Sequence, residues 1–150
     1  MARDMHQWVS SYGESHQNLT NKKIHWVCVP LIMFTLLGLL SLVNFYNINL
    51  AYGLIVIALI FYLRLSIPIS VGMFLISAGE LFLIYYLEEV LLKSTLLFLY
   101  LGIFILAWIG QFIGHKIEGK KPSFFKDLQF LLIGPAWLLS FIYKKIGIKY

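Results

Sequence analysis

The stretch STLLFLYLGIFILAWIGQFIG, residues 94–114, contains no charged side chain over the length of a membrane-spanning helix. Crossing the hydrocarbon core of a bilayer takes roughly 20 mainly apolar residues in helical conformation. The stretch is followed at once by HKIEGKK, residues 115–121, which is rich in lysine. The sequence therefore predicts a transmembrane helix that ends at a membrane interface, with His115 at its end.

The composition of the whole chain indicates the same class of protein. Of 150 residues, 60% are hydrophobic and only 13% are charged, whereas about a quarter of the residues in a soluble domain are charged. We therefore expect a single integral-membrane domain, residues 1–150. The net charge of +5 does not indicate a nucleic-acid partner, because lysine and arginine in membrane proteins mainly report orientation.

Working outward from residues 94–114, three more segments are long and apolar enough to span a membrane: 26–45, 48–65 and 67–87. The connections between the first three segments are short, which favours antiparallel packing of neighbours. A fifth apolar segment, 128–143, carries Gly134-Pro135 near its middle, and proline kinks or breaks a helix. The predicted fold is an all-α polytopic bundle of four transmembrane helices, with a re-entrant or short fifth hydrophobic segment at its C-terminal end.

The basic residues predict the orientation of this bundle. With a cytoplasmic N-terminus and four spans, Lys93 alone among the basic residues before segment 128–143 lies outside, as expected when short cytoplasmic loops collect lysine and arginine. The residues placed inside are Arg3, Lys22, Lys23, Arg64, Lys116, Lys120, Lys121 and Lys126. A complete fifth span would put the C-terminal lysines outside. We therefore favour a hairpin bent at Gly134-Pro135.

The region before the first span has the pattern of a short amphipathic helix. Met5, Trp8, Val9 and Tyr12 recur at helical spacing. Such a helix commonly lies on the membrane surface, and these residues could then face the lipid headgroups. We predict an N-terminal interfacial helix.

The four histidines of the chain gather at one end of this predicted bundle. His6, His16 and His25 precede or open the first span, and His115 closes the fourth. An even number of antiparallel spans brings both places to the same membrane face. Histidine is a common metal ligand, so this face is a candidate metal site.

Polar neighbours of these histidines suit the surroundings of a metal. A ligating imidazole usually donates its second N–H to an oxygen atom, and Asn18, Asn21, Gln111 and Glu118 are close in sequence. Sites rich in histidine suit non-haem Fe(II) or zinc. The alternative is that these side chains only hydrogen-bond lipid headgroups and helix ends, and the residues alone leave both interpretations open.

Three short motifs, in order along the chain, carry a family resemblance. The first is Y-x3-H-x4-N-x3-H-x4-P, formed by Tyr12, His16, Asn21, His25 and Pro30. The second is W-x2-Q-F-x-G-H-x2-E-x3-P, formed by Trp108, Gln111, Phe112, Gly114, His115, Glu118 and Pro122. The third is L-x5-G-P, formed by Leu128, Gly134 and Pro135. Together they resemble the membrane family of 2-hydroxy fatty acid dioxygenases, whose fungal members act in phytosphingosine breakdown and which has many bacterial members.

The resemblance implies Fe(II)-dependent α-oxidation, in which a long-chain 2-hydroxy fatty acid reacts with O2 and loses one carbon. It implies His16, His25 and His115 as catalytic metal ligands, with His6 as an additional candidate. Tyr12, Asn21, Gln111 and Glu118 are then the residues expected to support the ligands. Lys22, Lys23 and Lys116 are expected to attract the anionic headgroup of the substrate, although orientation alone also accounts for them.

The expected partners are the fatty acid, O2 and membrane lipid, with no nucleic acid. The expected location is the bacterial inner membrane, or the endoplasmic reticulum in a eukaryote, with the metal on the cytoplasmic side. Two other functions remain open at this point. One is a non-enzymatic haem anchor with two axial histidines, and the other is a zinc-dependent lipid hydrolase.

Overall fold

The structure, a computed structural model, describes residues 4–46, 48–119 and 124–150, without the side chains of 124–129. The described residues form an all-helical protein with a minimal two-stranded ladder. Its elements in chain order are α1 (Met5–Gly13), α2 (Leu19–Ser41), β1 (Asn44–Phe45), β2 (Ile48–Asn49), α3 (Leu50–Leu65), α4 (Ile67–Val90), α5 (Lys93–Glu118) and α6 (Phe124–Ile146). The strands pair antiparallel, with Phe45 opposite Ile48.

Among the described residues, α2, α4 and α5 are long and apolar enough to cross a membrane, with 23, 24 and 26 residues. These three helices fit the predicted membrane protein. The predicted segment 48–65 corresponds to α3, which is apolar but has only 16 residues. Many large apolar side chains on the outer surfaces of these helices, such as Phe82 and Phe98, are exposed. Such an exposed apolar surface is expected where lipid is the solvent.

Polar side chains mark where the helices begin and end. The Asn18 side chain accepts hydrogen bonds from the backbone of Thr20 and Asn21 at the start of α2. The side chains of Asn49 and Ser66 accept corresponding bonds at the starts of α3 and α4. These bonds satisfy donors that have no partner inside the helix. Gly119 caps the end of α5, and its φ of 73° is the left-handed conformation that glycine adopts without strain.

The helices α2 and α5 form a closely packed antiparallel pair. Their contacts run in opposite order along the two helices: Gly38 meets Tyr100, Gly110 meets Cys28, and Gly114 meets Asn21. A Cβ atom at Gly38 would lie 2.7 Å from the Tyr100 ring, and one at Gly110 would lie 2.6 Å from the sulfur of Cys28. Glycine therefore allows the two backbones to approach, as small residues do in membrane helix pairs. The pairing brings the start of α2 to the end of α5.

Helix α6 lies across the end of the bundle where α2 begins and α5 ends. The Tyr62 hydroxyl near the end of α3 donates to the carbonyl oxygen of Leu132, at 2.6 Å. The Tyr143 hydroxyl donates to the carbonyl oxygen of Pro68 at the start of α4, at 2.7 Å. Leu132 and Tyr143 are about 16 Å apart along α6, at 1.5 Å per residue, yet both contact the junction of α3 and α4. The helix therefore does not run alongside α3 and α4.

The predicted hairpin at Gly134-Pro135 is wrong, because α6 continues as one helix through Pro135. Proline costs one helical hydrogen bond, and here the surrounding packing outweighs that cost. Ile133, Ala136 and Trp137 on both sides of the proline are almost completely buried. Lys144, after Pro135, nevertheless lies near the start of α2, since Lys22 and Lys144 line the same cavity.

Helix α1 exists as predicted, but its apolar face has a different partner. Met5, Val9 and Tyr12 are buried and belong to the main hydrophobic core, together with residues of α6. Trp8 is half-buried and packs edge-on against Phe130. The expectation that these residues face the lipid headgroups is therefore wrong for Met5, Val9 and Tyr12. A helical hydrophobic period shows that a helix has a buried face, but it does not show whether lipid or protein covers it.

Candidate metal centre

Three histidines from three different parts of the chain meet at the end of the bundle covered by α1 and α6. His16 lies between α1 and α2, His25 lies in the second turn of α2, and His115 lies in the last turn of α5. One nitrogen atom from each ring lies within 4.8 Å of those of the other two. The ring centroids of His16 and His25 are 4.3 Å apart, and those of His25 and His115 are 5.1 Å apart. This set of nitrogen atoms could hold a metal ion.

Backbone carbonyls determine which nitrogen of each buried ring faces the cluster. His16 Nδ1 lies 2.7 Å from the carbonyl oxygen of Tyr12, and His25 Nδ1 lies 3.0 Å from that of Asn21. A carbonyl oxygen only accepts hydrogen bonds, so each Nδ1 carries the proton. In the neutral rings both Nε2 atoms then present a lone pair to the centre. This is the arrangement of ligating histidines, whose other ring nitrogen donates to an oxygen.

The two Nε2 atoms of His16 and His25 are 2.9 Å apart. Two lone pairs at this distance repel each other unless a proton or a metal cation lies between the rings. Two nitrogen ligands at right angles on one ion would be about 3.0 Å apart, given metal–nitrogen bonds of about 2.1 Å. His16 and His25 are 2% and 0% exposed, so little water can relieve the repulsion. The residues therefore fit a metal ion, and His115 offers a third ligand.

Glu118 connects the chain segment that carries His16 to the end of α5. Its carboxylate accepts hydrogen bonds from the backbone N–H groups of Gln17 and Asn18, at 2.7 and 3.0 Å. It also accepts one from the Asn21 side chain at 2.9 Å. Glu118 is absent from the cluster of possible ligands. Its position thus suits holding His16 and Asn21 in place rather than binding the ion.

Two aromatic rings, which also contact each other, pack against the imidazole of His16. Tyr12 stacks on the imidazole with ring centroids 4.1 Å apart, and Trp137 of α6 approaches with centroids 5.3 Å apart. Trp137 is almost completely buried and is a site residue that the sequence analysis missed. It lies two residues after the Gly134-Pro135 motif, but an aromatic residue in an apolar segment gives no signal of its own. Only the crossing of α6 over the bundle brings it to His16.

A cavity of about 500 Å³ extends from the histidines into the apolar interior. Its polar end is lined by His16, His25, His115, Tyr12 and Gln111, and the rest of its wall is mostly aliphatic. Gln111 is 6% exposed, and its side-chain oxygen is buried without a hydrogen-bond partner among the described residues. A buried acceptor without a partner is costly. A hydroxyl group of a ligand in this cavity could satisfy it.

The remaining candidates lie outside the histidine cluster. His6 is exposed and stacks on Tyr150 with centroids 4.8 Å apart, so the structure does not bring it to the other three. Lys22 is half-buried and lines a second, more polar cavity that His16 also borders. Lys23 is exposed near the start of α2, and Lys116 is exposed near the end of α5. The role of all three lysines in binding a headgroup stays a prediction.

Comparison with known proteins identifies similar sequences over almost the whole chain. The family model described as "2-hydroxy-palmitic acid dioxygenase Mpo1-like" matches residues 2–146. The "2-hydroxy-palmitic acid dioxygenase MPO1" of Saccharomyces cerevisiae (strain ATCC 204508 / S288c) is 32% identical over 148 residues. These residues are 96% of this chain and 82% of the yeast protein. No solved structure gives a significant match.

Proposed function

Because this chain belongs to the Mpo1-like family, we propose that it is an Fe(II)-dependent dioxygenase of long-chain 2-hydroxy fatty acids. The family model and the yeast relative, named a 2-hydroxy-palmitic acid dioxygenase, support the reaction and the substrate class. The observation that carries the proposal is the position of three histidine nitrogens within 4.8 Å of one another at the polar end of an apolar cavity. An amphiphilic acid fits such a cavity, with its head at the histidines and its tail among the aliphatic side chains.

The proposed overall reaction converts a 2-hydroxy acid and O2 into the acid one carbon shorter, carbon dioxide and water. The bond between C1 and C2 breaks, C1 leaves as carbon dioxide, and C2 becomes the new carboxyl carbon. The electrons that reduce O2 all come from the substrate, so the reaction balances without a further reductant. Iron, when bound, would supply the activation of O2, a redox chemistry that zinc does not have.

His16, His25 and His115 would hold the ion. Tyr12 and Asn21 fix the ring orientations of His16 and His25 through their backbone carbonyl oxygens. Gln111 would accept a hydrogen bond from the 2-hydroxyl group, because its side-chain oxygen is buried and lacks another partner in the described part of the chain. The aliphatic wall would exclude water from the acyl chain. The lysines at the same end of the bundle would attract the carboxylate as it approaches.

In the proposed membrane arrangement, α2, α3, α4 and α5 span the bilayer, and α1 and α6 lie at its cytoplasmic face. The position of α6 across one end of the bundle supports this arrangement. The membrane would be the bacterial inner membrane or the endoplasmic reticulum. A fatty acid could then enter from the bilayer while its carboxylate stays at the interface, where the histidines would lie.

The geometry does not favour the haem alternative. His16 lies with its ring centroid 4.3 Å from that of His25 and 5.4 Å from that of His115. A macrocycle between His25 and His115 would need the space that the third imidazole occupies. A purified haem protein would also have a strong Soret absorption band. A zinc hydrolase would use a similar set of ligands, so the metal and the reaction must be tested together.

The test is incubation of the purified protein, without an affinity tag that contains histidine, with Fe(II), O2 and 2-hydroxypalmitate. We expect the acid one carbon shorter, detected by mass spectrometry, and carbon dioxide in equal amount. Palmitate without the hydroxyl group should react poorly. Folded, iron-loaded protein that yields no shortened acid at any chain length, while the zinc-loaded protein hydrolyses a lipid ester or amide, would show that the protein is a hydrolase instead.

A further inference from the structure

We propose that Leu37 and Leu54 close the far end of the apolar cavity and thereby set the longest acyl chain that the protein accepts. This inference rests on the proposed function, because it assigns the cavity to the tail of the substrate. It concerns a different end of the molecule from the histidines. Neither residue belongs to the motifs of the sequence or to the candidate metal centre.

The cavity follows one face of α2 away from the histidines. The residues of α2 that line it after His25 recur every three or four positions: Val29, Ile32, Met33, Leu36 and Leu37. This spacing places them in one stripe along the helix. Leu37 lies twelve positions after His25, which is about 18 Å at 1.5 Å per residue. The cavity is therefore elongated, with a polar end at His25 and an apolar end at Leu37.

The apolar end is closed by packed side chains. Leu37, Ala51 and Ile84 form a buried cluster from α2, α3 and α4, and each is at most 2% exposed. Leu54 and Ile55 of α3 pack against this cluster and also line the cavity. An acyl chain that reached this cluster could extend further only by displacing these side chains. Close-packed interiors resist such displacement.

The length of the cavity corresponds to that of a common fatty acid. An extended hydrocarbon chain advances about 1.3 Å per carbon, given carbon–carbon bonds of about 1.5 Å. A path of about 18 Å therefore accommodates about 14 carbons beyond the head of the substrate. Chains near this length would fill the cavity, and longer ones would meet Leu37 and Leu54.

The experiment is a competition among saturated 2-hydroxy acids of graded length, with products resolved by mass spectrometry. Leu37→Ala and Leu54→Ala each remove about three carbon atoms from the closed end, so the preferred substrate should become longer by about two carbons. Leu54→Phe should shift the preference to shorter acids by a similar amount. One methylene group too many in an apolar pocket costs about tenfold or more in selectivity, which makes the shifts measurable.

Ile57→Ala and Ile57→Phe are the matched controls. Ile57 lies on α3 three residues after Leu54, is 64% exposed and does not line the cavity, so these variants should keep the wild-type length profile. The same acids are also tested for binding to metal-free protein, by displacement of a bound fluorescent fatty acid. This second measurement is needed because it does not depend on turnover.

The outcomes separate the two proposals. A wild-type protein that forms no shortened acid would contradict the proposed reaction, and the binding profiles of the variants would still test the role of Leu37 and Leu54. Unchanged length profiles in the folded Leu54 variants would overturn that role even if the wild type is fully active. Equal shifts of the preferred acyl-chain length in the Ile57 variants would also overturn the role of Leu37 and Leu54. If Leu37→Ala fails to fold, the two opposite substitutions at Leu54 decide.

Discussion

At the scale of single residues, the position of His16 depends on groups that lie far apart in the chain. Its Nδ1 donates to the carbonyl oxygen of Tyr12, its ring stacks on the ring of Tyr12, and the next two backbone N–H groups donate to the carboxylate of Glu118. His16 itself lies outside a helix, where the backbone alone would not hold an imidazole in one orientation. The surrounding groups therefore supply the orientation that a ligand needs.

The four histidines provide a direct test of the metal centre. We expect His16→Ala, His25→Ala and His115→Ala each to reduce bound iron strongly, because each removes one of the three nitrogens that meet. His6→Ala should keep wild-type occupancy, since His6 stacks on Tyr150 outside the cluster. The measurement is metal content per folded protein, with folding checked by circular dichroism. Full occupancy in the three cluster variants would place the metal elsewhere.

Glu118 should affect the metal through the positions of His16 and Asn21. We expect Glu118→Ala to weaken iron binding by about 10–100-fold, the usual effect of losing a group that orients a ligand. Hydrogen exchange of backbone amides at residues 16–18 should rise, because two of them lose their acceptor. The control is Glu89→Ala, an exposed carboxylate near the end of α4. Normal exchange together with normal affinity in Glu118→Ala would contradict the positioning role.

At the scale of helices, the α2–α5 pair forms the frame on which the histidines lie. The antiparallel alignment of the two helices brings His25 to His115, and the small residues along the contact set how closely the two backbones approach. A change in that spacing would move the two ligands relative to each other. The packing of α2 against α5 therefore determines the distance between His25 and His115.

Alanine substitutions at two glycines separate the effect of close helix packing from the intrinsic preference of alanine for a helix. In Gly38→Ala the new methyl group would lie 2.7 Å from the ring of Tyr100, which is completely buried. We expect destabilisation of about 1–3 kcal/mol, as for other overpacked interiors. In Gly102→Ala on α5 no heavy atom of the described residues lies within 4 Å of the new methyl group, so the variant should be neutral or stabilised by up to about 1 kcal/mol. Thermal unfolding in detergent measures the stability of both variants. Equal shifts of the unfolding temperature would contradict the close contact between Gly38 and Tyr100.

At the scale of the whole molecule, α1 and α6 together cover one end of the helical bundle. Their buried residues form the main core together with residues of α2, α3 and α4. Lys22 of α2 and Lys144 of α6 line one cavity, which brings basic residues from distant parts of the sequence to this end. Lys93 begins α5 at the opposite end. In the described part of the chain, basic residues of α2 and α6 thus lie at the end opposite Lys93. That this end faces the cytoplasm, as the tendency of cytoplasmic loops to be basic suggests, stays a prediction.

Cysteine labelling tests this orientation. In a Cys28→Ala background, Lys23→Cys and Lys149→Cys should react with a membrane-impermeant maleimide from the same side of sealed vesicles. Lys93→Cys should react from the other side. The three variants replace the same exposed residue type, so differences in labelling report position. Labelling of Lys149→Cys from the side of Lys93→Cys would mean that α6 crosses the membrane as a fifth span.

Much of the fold could be predicted from composition and periodicity, because these indicate whether each segment is surrounded by water or by an apolar environment. The uncharged residues of 94–114 correctly predicted most of α5, and the amphipathic pattern of residues 5–12 correctly predicted α1. The pattern did not reveal that α1 packs on α6, and Gly134-Pro135 led to a hairpin that does not form. The cost of a proline within a helix can be predicted from the local sequence. The stabilisation from burying Ile133, Ala136 and Trp137 depends on residues that are distant in the chain.

For the candidate site, too, the residue types could be predicted from the local sequence, but the contacts between distant residues could not. The motifs of the sequence by themselves determined which residue types were available, and their order along the chain indicated the family. Only the tertiary structure decided that His16, His25 and His115 meet while His6 does not, that Glu118 reaches Gln17 and Asn18, and that Leu37 and Leu54 lie at the far end of one cavity. The reason is that a residue's type acts through its local environment, whereas contacts between residues about 100 positions apart depend on how whole helices rotate and pack.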